Sequence, residues 1–348
     1  MGYQNSFKVF LCLSVIFLFS MKIMVLEKYF EKINFTAFSI HTTKPIRKGA
    51  HYWFSQTNKH ANKNITLPNC TLPPDLGPYN IQLNVPLDNE FKNERMSFGG
   101  HNKPENCIAL QKIAIVIPFR NRESHLKIWL HNMHPFLQKQ QADYGIYVIE
   151  QHGNLPFNRA KLLNIGYKEA LKEYDYNCFI FSDVDIIPMD QRNLYRCSTN
   201  PKHMAHALDK FNFRLLYATL FGGVVAFTKE QFLKVNGFSN LFWGWGGEDD
   251  DLYKRVITAG MQIERMNNII SKTKAIPHKR DPGNEDNPKS TGFQHVATRN
   301  GEPLLEKAAR RMYTDGLNSL NYTFIRVMKH RLYTKVLVDI GKPENIEQ

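Results

Sequence analysis

Two aspartates one residue apart, Asp183 and Asp185, follow the apolar run Cys178-Phe179-Ile180-Phe181. In an extended chain, side chains at i and i+2 project to the same side. Carboxylates so placed repel unless a cation or a donor lies between them. Hard oxygen ligands suit Mg²⁺ or Mn²⁺, ions that bridge diphosphate oxygens. Such a pair alone is more often a polar turn; its position after a buried strand gives it weight. A second candidate loop is Pro118-Phe119-Arg120-Asn121-Arg122, with two guanidiniums able to grip phosphate and a ring able to support a base. The third is Phe242-Trp243-Gly244-Trp245-Gly246-Gly247-Glu248-Asp249-Asp250-Asp251. Its glycines permit a hinge and close backbone approach. Its tryptophans offer faces for the apolar side of a sugar ring. The four acids are expected to open a helix whose inner face is Leu252, Val256 and Ile257. Acids in a first turn ordinarily complement the helix dipole. That accounts for Asp250 or Asp251, but not for the tryptophans and glycines in front of them. The dipole is also expected to keep an acid here ionised, as a general base requires. Finally, His278 sits in a polar loop, 276–284, that could act as a lid and supply a metal ligand, although a lone loop histidine is more often merely exposed.

These loops need a frame. Ile113-Ala114-Ile115-Val116-Ile117 is a mostly β-branched run closed by Pro118, as a buried strand should be. Leu126, Trp129, Leu130, Met133 and Leu137 recur at helical spacing, and residues 145–149 form a second apolar run. Residues 159–174 read as a helix with Leu163, Tyr167, Ala170, Leu171 and Tyr174 on one face. Residues 178–181 make a third strand. This alternation predicts a parallel sheet covered by helices, with ligands beyond the C-terminal strand ends. The first two candidate loops lie there.

Of 348 residues, 43% are hydrophobic and 22% charged, enough for a core and unlike a disordered chain. The net charge of +13 suits anionic partners. No run of five Lys/Arg marks a nucleic-acid patch, so charge alone speaks for one. Residues 7–26 are almost wholly apolar, about the ~20 needed to cross a bilayer. No small-x-small cleavage pattern follows, so an uncleaved signal anchor is expected over a cleaved signal peptide. The start Met1-Gly2 also fits a short myristoylation pattern. The expected organisation is a cytosolic tail at 1–6, the anchor at 7–26, a polar stem at 27–68 and a folded domain at 69–348. Sequons at Asn34, Asn64, Asn69 and Asn321 all follow the anchor. Beyond Cys12, the remaining Cys70, Cys107, Cys178 and Cys197 form an even set with three possible pairings. No C-x-x-C points to zinc.

Taken together these segments resemble the β-1,4-galactosyltransferase family, from about residue 70 to 341. The resemblance rests on Ile117-Pro118-Phe119-Arg120-Asn121-Arg122, Phe157-Asn158-Arg159-Ala160-Lys161-Leu162-Leu163-Asn164, Phe181-Ser182-Asp183-Val184-Asp185, Phe221-Gly222-Gly223-Val224, Trp243-Gly244-Trp245-Gly246-Gly247-Glu248-Asp249-Asp250-Asp251 and Asp315-Gly316-Leu317-Asn318-Ser319-Leu320. It implies a GT-A fold, a Rossmann-like α/β mixed sheet covered by helices, as one lumenal catalytic domain behind a type II signal anchor in the Golgi membrane. It implies disulfides Cys70–Cys107 and Cys178–Cys197. Donor UDP-sugar would meet Pro118, Phe119, Arg120, Arg122, Phe157, Arg159, Asp183 and Val184. Lys210, Leu220, Trp245 and Glu248 would complete the donor side. Asp249 matches the catalytic base, and Asp185 and His278 match metal ligands. Tyr217, Gly223, Gly247, Asp250 and Phe293 match acceptor positions, as does Asp249 itself.

Two positions depart from the family pattern. Ala275 stands where the family has a third metal ligand, a methionine, so Mg²⁺ is admitted beside Mn²⁺. Leu220 stands where vertebrate members carry a tyrosine whose ring and hydroxyl crowd C2 of the donor sugar. A 2-acetamido group then fits, as in similar invertebrate enzymes, and the expected reaction is transfer of GalNAc from UDP-GalNAc to the 4-hydroxyl of terminal GlcNAc on glycoconjugates. UDP-Gal is the alternative donor, because a pocket resolves such additions by only ~1–3 kcal/mol. An alternative of another class is a membrane lectin that keeps the scaffold without transferring sugar.

Overall fold

The computed structural model describes residues 67–85, 96–279 and 307–343, with Asn284 and Leu305. The expected tail, the anchor, nearly all of the stem, Asn34, Asn64 and Phe293 lie outside the described residues. Among the described residues no helix is long and apolar enough to cross a membrane.

The chain first alternates: β1 (Lys112–Phe119), α1 (Glu123–Lys139), β2 (Asp143–Gln151), α2 (Arg159–Glu173) and β3 (Cys178–Ser182). Short elements follow: β4 (Ile186–Pro188), β5 (Lys202–His203), β6 (Ala207–Leu208), β7 (Val224–Thr228), α3 (Lys229–Lys234), α4 (Glu248–Thr258), β8 (Glu264–Arg265), β9 (Lys272–Ala275) and α5 (Ala308–Arg311). The hairpin β10 (Thr323–Lys329) and β11 (Thr334–Asp339) ends the described chain.

Period two along β1 divides the core. Ile113, Ile115, Ile117 and Phe119 pack towards Trp129, Met133 and Phe136 of α1. Ala114 and Val116 face Leu162, Leu163 and Ala170 of α2. Both faces of the strand are therefore dry, and an unbroken apolar run is what the sheet requires there. Helix α2 starts at Asn158, whose side chain accepts from Lys161 N at 2.9 Å. Pro118 does not close β1, which runs on to Phe119 beside β2. The β3 ladder has already ended at Val116, so the missing N–H of Pro118 removes no bond on that side.

The main sheet has eight strands in the order β10-β11-β2-β1-β3-β7-β5-β8, and a smaller sheet has the order β4-β9-β6. Strands β11, β2, β1 and β3 are parallel. The alternation alone predicts a parallel sheet, but β7 and β10 pair antiparallel with β3 and β11, so the sheet is mixed, as the family resemblance implies. Four cysteines form Cys70–Cys107 and Cys178–Cys197. In α4, Leu252 and Val256 face inward as expected, but Ile257 is 48% exposed. The remaining inward position is Arg255, fully buried with Asp251. Arg255 Nε donates to Asp251 Oδ1 at 2.6 Å and its Nη2 to Asp315 Oδ2 at 3.2 Å. Arg311 bonds both aspartates in turn. Two guanidiniums and two carboxylates thus join α4 to α5 and the turn after it.

Candidate active site

Because β1 and β3 are parallel neighbours, the loops leaving their C-terminal ends lie side by side. Helix α2 begins beside the same edge, and the first turn of α4 faces it. Between them lies a cavity of about 710 Å³, within the range of small-molecule sites. The expected donor residues Pro118, Arg120, Arg122, Phe157, Arg159 and Asp183 line it. Val184, Lys210, Leu220, Trp245 and Glu248 line it too, as do the expected metal ligands Asp185 and His278. Of the expected acceptor positions, Tyr217, Gly223, Gly247, Asp249 and Asp250 line it as well. Phe119 is not brought in: its ring is buried in the core, with Lys335 Nζ 5.5 Å from its centre. The two guanidiniums of the first loop differ. Arg120 is buried, donates from Nη1 to Leu155 O at 2.6 Å and lies over the Phe157 ring. Arg122 reaches across to the lid loop, with Nη2 2.9 Å from His278 Nδ1 and 3.0 Å from Lys279 O. Only Trp245 of the two tryptophans lines the cavity, and it is 55% exposed.

Arg159 organises the acids. Its Nε donates to Asp183 Oδ1 at 2.6 Å, and its Nη1 lies 3.5 Å from Glu248 Oε1. Burial pushes the Asp183 carboxyl up against the pull of Arg159. In α4, burial and the Asp249 charge push Glu248 up to about 7. Burial and the same neighbour push Asp250 to about 6. Burial also raises Asp249, against Arg159. Burial thus works against the helix dipole expected to keep an acid here ionised. Removing three crowded carboxylates from water outweighs a dipole contribution of ~0.3–1 kcal/mol. A raised carboxylate is the stronger proton acceptor.

Glycines allow this crowding. Gly247 has φ +94°, and a Cβ there would lie 2.8 Å from Phe242 Cε1. At Gly222 a Cβ would lie 2.5 Å from Asp249 Oδ2, so the backbone before Gly223 passes directly against the expected base.

Asp185 and His278 meet on the cavity wall, Oδ2 to Nε2 at 3.0 Å. Burial works against the Asp185 charge, but the His278 hydrogen bond and the Lys210 charge outweigh it and hold its carboxyl below the usual range. The Asp185 bond in turn raises His278. A carboxylate oxygen beside an imidazole nitrogen fits a divalent ion and leans towards Mn²⁺ over Mg²⁺. Ala275, paired with Ile186 across β4 and β9, brings only a methyl group. Among the described residues no cluster of three or more acids, histidines or cysteines forms a fuller cage. Other ligands would have to be substrate oxygens or water.

Among the wall residues not read from sequence, two are polar. His203 and His206 line the cavity, and Arg265 stands behind His203. They lie on or beside strands of two residues, too short for a periodic signal.

Residues 70–198 match the N-terminal region of glycosyl transferase group 7, and residues 202–279 the N-terminal domain of galactosyltransferase. β-1,4-Galactosyltransferase 1 of Bos taurus is 52% identical over 271 residues, 77% of this chain and 65% of that protein. The chain thus spans slightly under two thirds of that relative's length. β-1,4-Galactosyltransferase 4 of Homo sapiens is 43% identical over 309 residues, 86% of this chain and 84% of that protein. Among solved structures, a mutant Drosophila β-1,4-galactosyltransferase 7 in complex with manganese, UDP-Gal and xylobiose superposes with a TM-score of 0.54 at 27% identity. It covers 67% of this chain and 95% of that one, so the α/β architecture is GT-A-like. With identity at this level across most of a relative's length, the chain belongs to the β-1,4-galactosyltransferase family.

Proposed function

We propose that this chain is a metal-dependent, inverting hexosyltransferase that moves galactose from UDP-Gal to the 4-hydroxyl of a terminal GlcNAc. The observation that carries the proposal is that Asp185, His278 and Asp249 all line one cavity of about 710 Å³. In this reading Asp249 accepts the proton of the acceptor hydroxyl as that oxygen attacks C1 of the donor. Arg159 keeps Asp183 and Glu248 in place beside the donor. Arg122, Lys210 and the Trp245 N–H lie on the same wall and balance charge on the departing diphosphate. A divalent ion on Asp185 and His278 would supply Lewis-acid stabilisation of that diphosphate. Trp245 and the loop after Ile276 would close over the donor and exclude water.

Leu220 led to the expectation of UDP-GalNAc. The relatives reported above are named galactosyltransferases, which favours UDP-Gal as the proposed donor. UDP-GalNAc stays as a second reading because Leu220 does line the cavity. The same proposal places the domain, 69–348, in the Golgi lumen behind the anchor at 7–26. Two disulfides support an oxidising compartment, and the exposed sequons Asn69 and Asn321 support glycosylation there. The test is transfer by the full chain from each UDP-sugar to GlcNAc with Mn²⁺. Leu220→Tyr should lower GalNAc transfer relative to Gal transfer. A protein that binds UDP-sugar and GlcNAc but releases no UDP would be the lectin instead.

A further inference from the structure

Strands β5 and β8 pair in parallel with His203 opposite Arg265. From that position Arg265 Nη2 donates to Ala218 O at 3.0 Å and to Leu220 O at 2.8 Å. Its Nε donates to His203 Nδ1 at 3.3 Å. His203 Nε2 then donates to Gly222 O at 3.0 Å. Alternate carbonyls of the loop, those of residues 218, 220 and 222, are thus all held by one connected pair. His203 is 1% exposed, and burial together with the Arg265 charge pushes it down to about 3. It is neutral, accepts at one nitrogen and donates at the other, as both contacts require. Its ring also packs edge-on against Phe221, centroids 5.6 Å apart.

Fixing every second carbonyl fixes which way the side chains between them point. Phe221 is fully buried, and Leu220 is left facing the cavity. The same grip presses Gly222 against Asp249. We propose that Arg265 and His203 are positioning residues that set donor-sugar discrimination by holding the loop 217–223, so that specificity belongs to this clamp as much as to Leu220. The inference rests on the reading of Leu220 as the neighbour of C2 in the donor.

Three variants of the full chain test it: Arg265→Lys, Arg265→Met and His203→Gln. Arg265 is partly exposed, and Arg265→Lys keeps the charge but cannot bridge two carbonyls and an imidazole. The readouts are kcat/KM for UDP-Gal and for UDP-GalNAc with GlcNAc and Mn²⁺, and UDP affinity by calorimetry. Arg265→Lys and Arg265→Met should change the Gal:GalNAc ratio by ~10-fold or more. UDP affinity should stay within about two-fold, because among the described residues the hydrogen bonds of Arg265 go to His203 and to the loop 217–223, not to the loops expected to hold the nucleotide. His203→Gln, which keeps an amide donor for Gly222 O, should move the ratio less. Equal loss with both donors, leaving the ratio where it was, would overturn the clamp. If the unaltered chain transfers neither sugar, the proposed function fails instead. The clamp is then read from the ratio of UDP-Gal to UDP-GalNAc affinities in the same variants, and an unmoved affinity ratio overturns it.

Discussion

Replacing Glu248 by glutamine removes a charge that the fold holds at a cost. The carboxyl is 13% exposed, has Arg159 3.5 Å away, and its Oε2 meets no hydrogen-bond partner among the described residues. Burial first, and then the Asp249 charge, raise it from an ordinary 4.5 to about 7. At ~1.4 kcal/mol per pKa unit, that corresponds to about 3 kcal/mol of lost stability once the group is ionised. The sign follows from proton binding. The folded state holds this proton more tightly than the unfolded chain. Stability is therefore full below pH 4.5 and is lost as the pH rises through 7. Glutamine has nearly the same shape and does not titrate. Urea unfolding of parent and Glu248→Gln, both with a chelator, should show the variant gaining on the parent by about 3 kcal/mol between pH 4 and pH 8. A difference constant across that range to within about 1 kcal/mol would refute the reasoning, because Glu248 would then be ionised as easily folded as unfolded.

Asp249→Asn should reduce kcat by ~10²–10⁴-fold while UDP binding by calorimetry persists; equal loss of both would remove Asp249 from the role of base. Gly222→Ala places a methyl 2.5 Å from Asp249 Oδ2. It should lower kcat far more than it lowers thermal stability, and an active variant would mean that the base does not sit against this backbone. Arg311→Met leaves Asp251 and Asp315 to share Arg255. The expected loss in urea unfolding is ~3–5 kcal/mol, and a loss below ~1 kcal/mol would show the quartet to be solvated.

Long apolar runs made the frame legible. Residues 113–117 and 178–181 could be read as buried strands because both faces of the sheet are covered, and the aspartates after Phe181 were found by their place at a strand end. Other features carry no local signal. Strands β5 and β8 have two residues each, so nothing marked His203 or Arg265 as partners. The direction of β7 is decided by the loop before it, not by its own apolar sequence. Ile257 looked like an inward position, yet Arg255 takes that place because Asp251 and Asp315 await it inside. The raised acids of α4 depend on burial by distant segments, which a first-turn dipole argument cannot weigh. Phe119 read as a ring at a strand end, but the strand continues through Pro118 and carries it into the core.

Strand β11 has a further effect on how the protein is made. It lies against β2, Thr334 opposite Tyr147, roughly 190 residues later in the chain. A ribosome adding ~5–20 residues per second needs on the order of 10–40 s to cover that distance. Throughout that interval the nascent chain presents residues 147–151 of β2, the stretch that β11 covers, without that neighbour, an edge open to pairing with other chains. A premature stop after α4 would leave every cavity acid encoded and this flank permanently bare. Such truncations should be met by chaperones and proteases rather than surviving as weak enzymes.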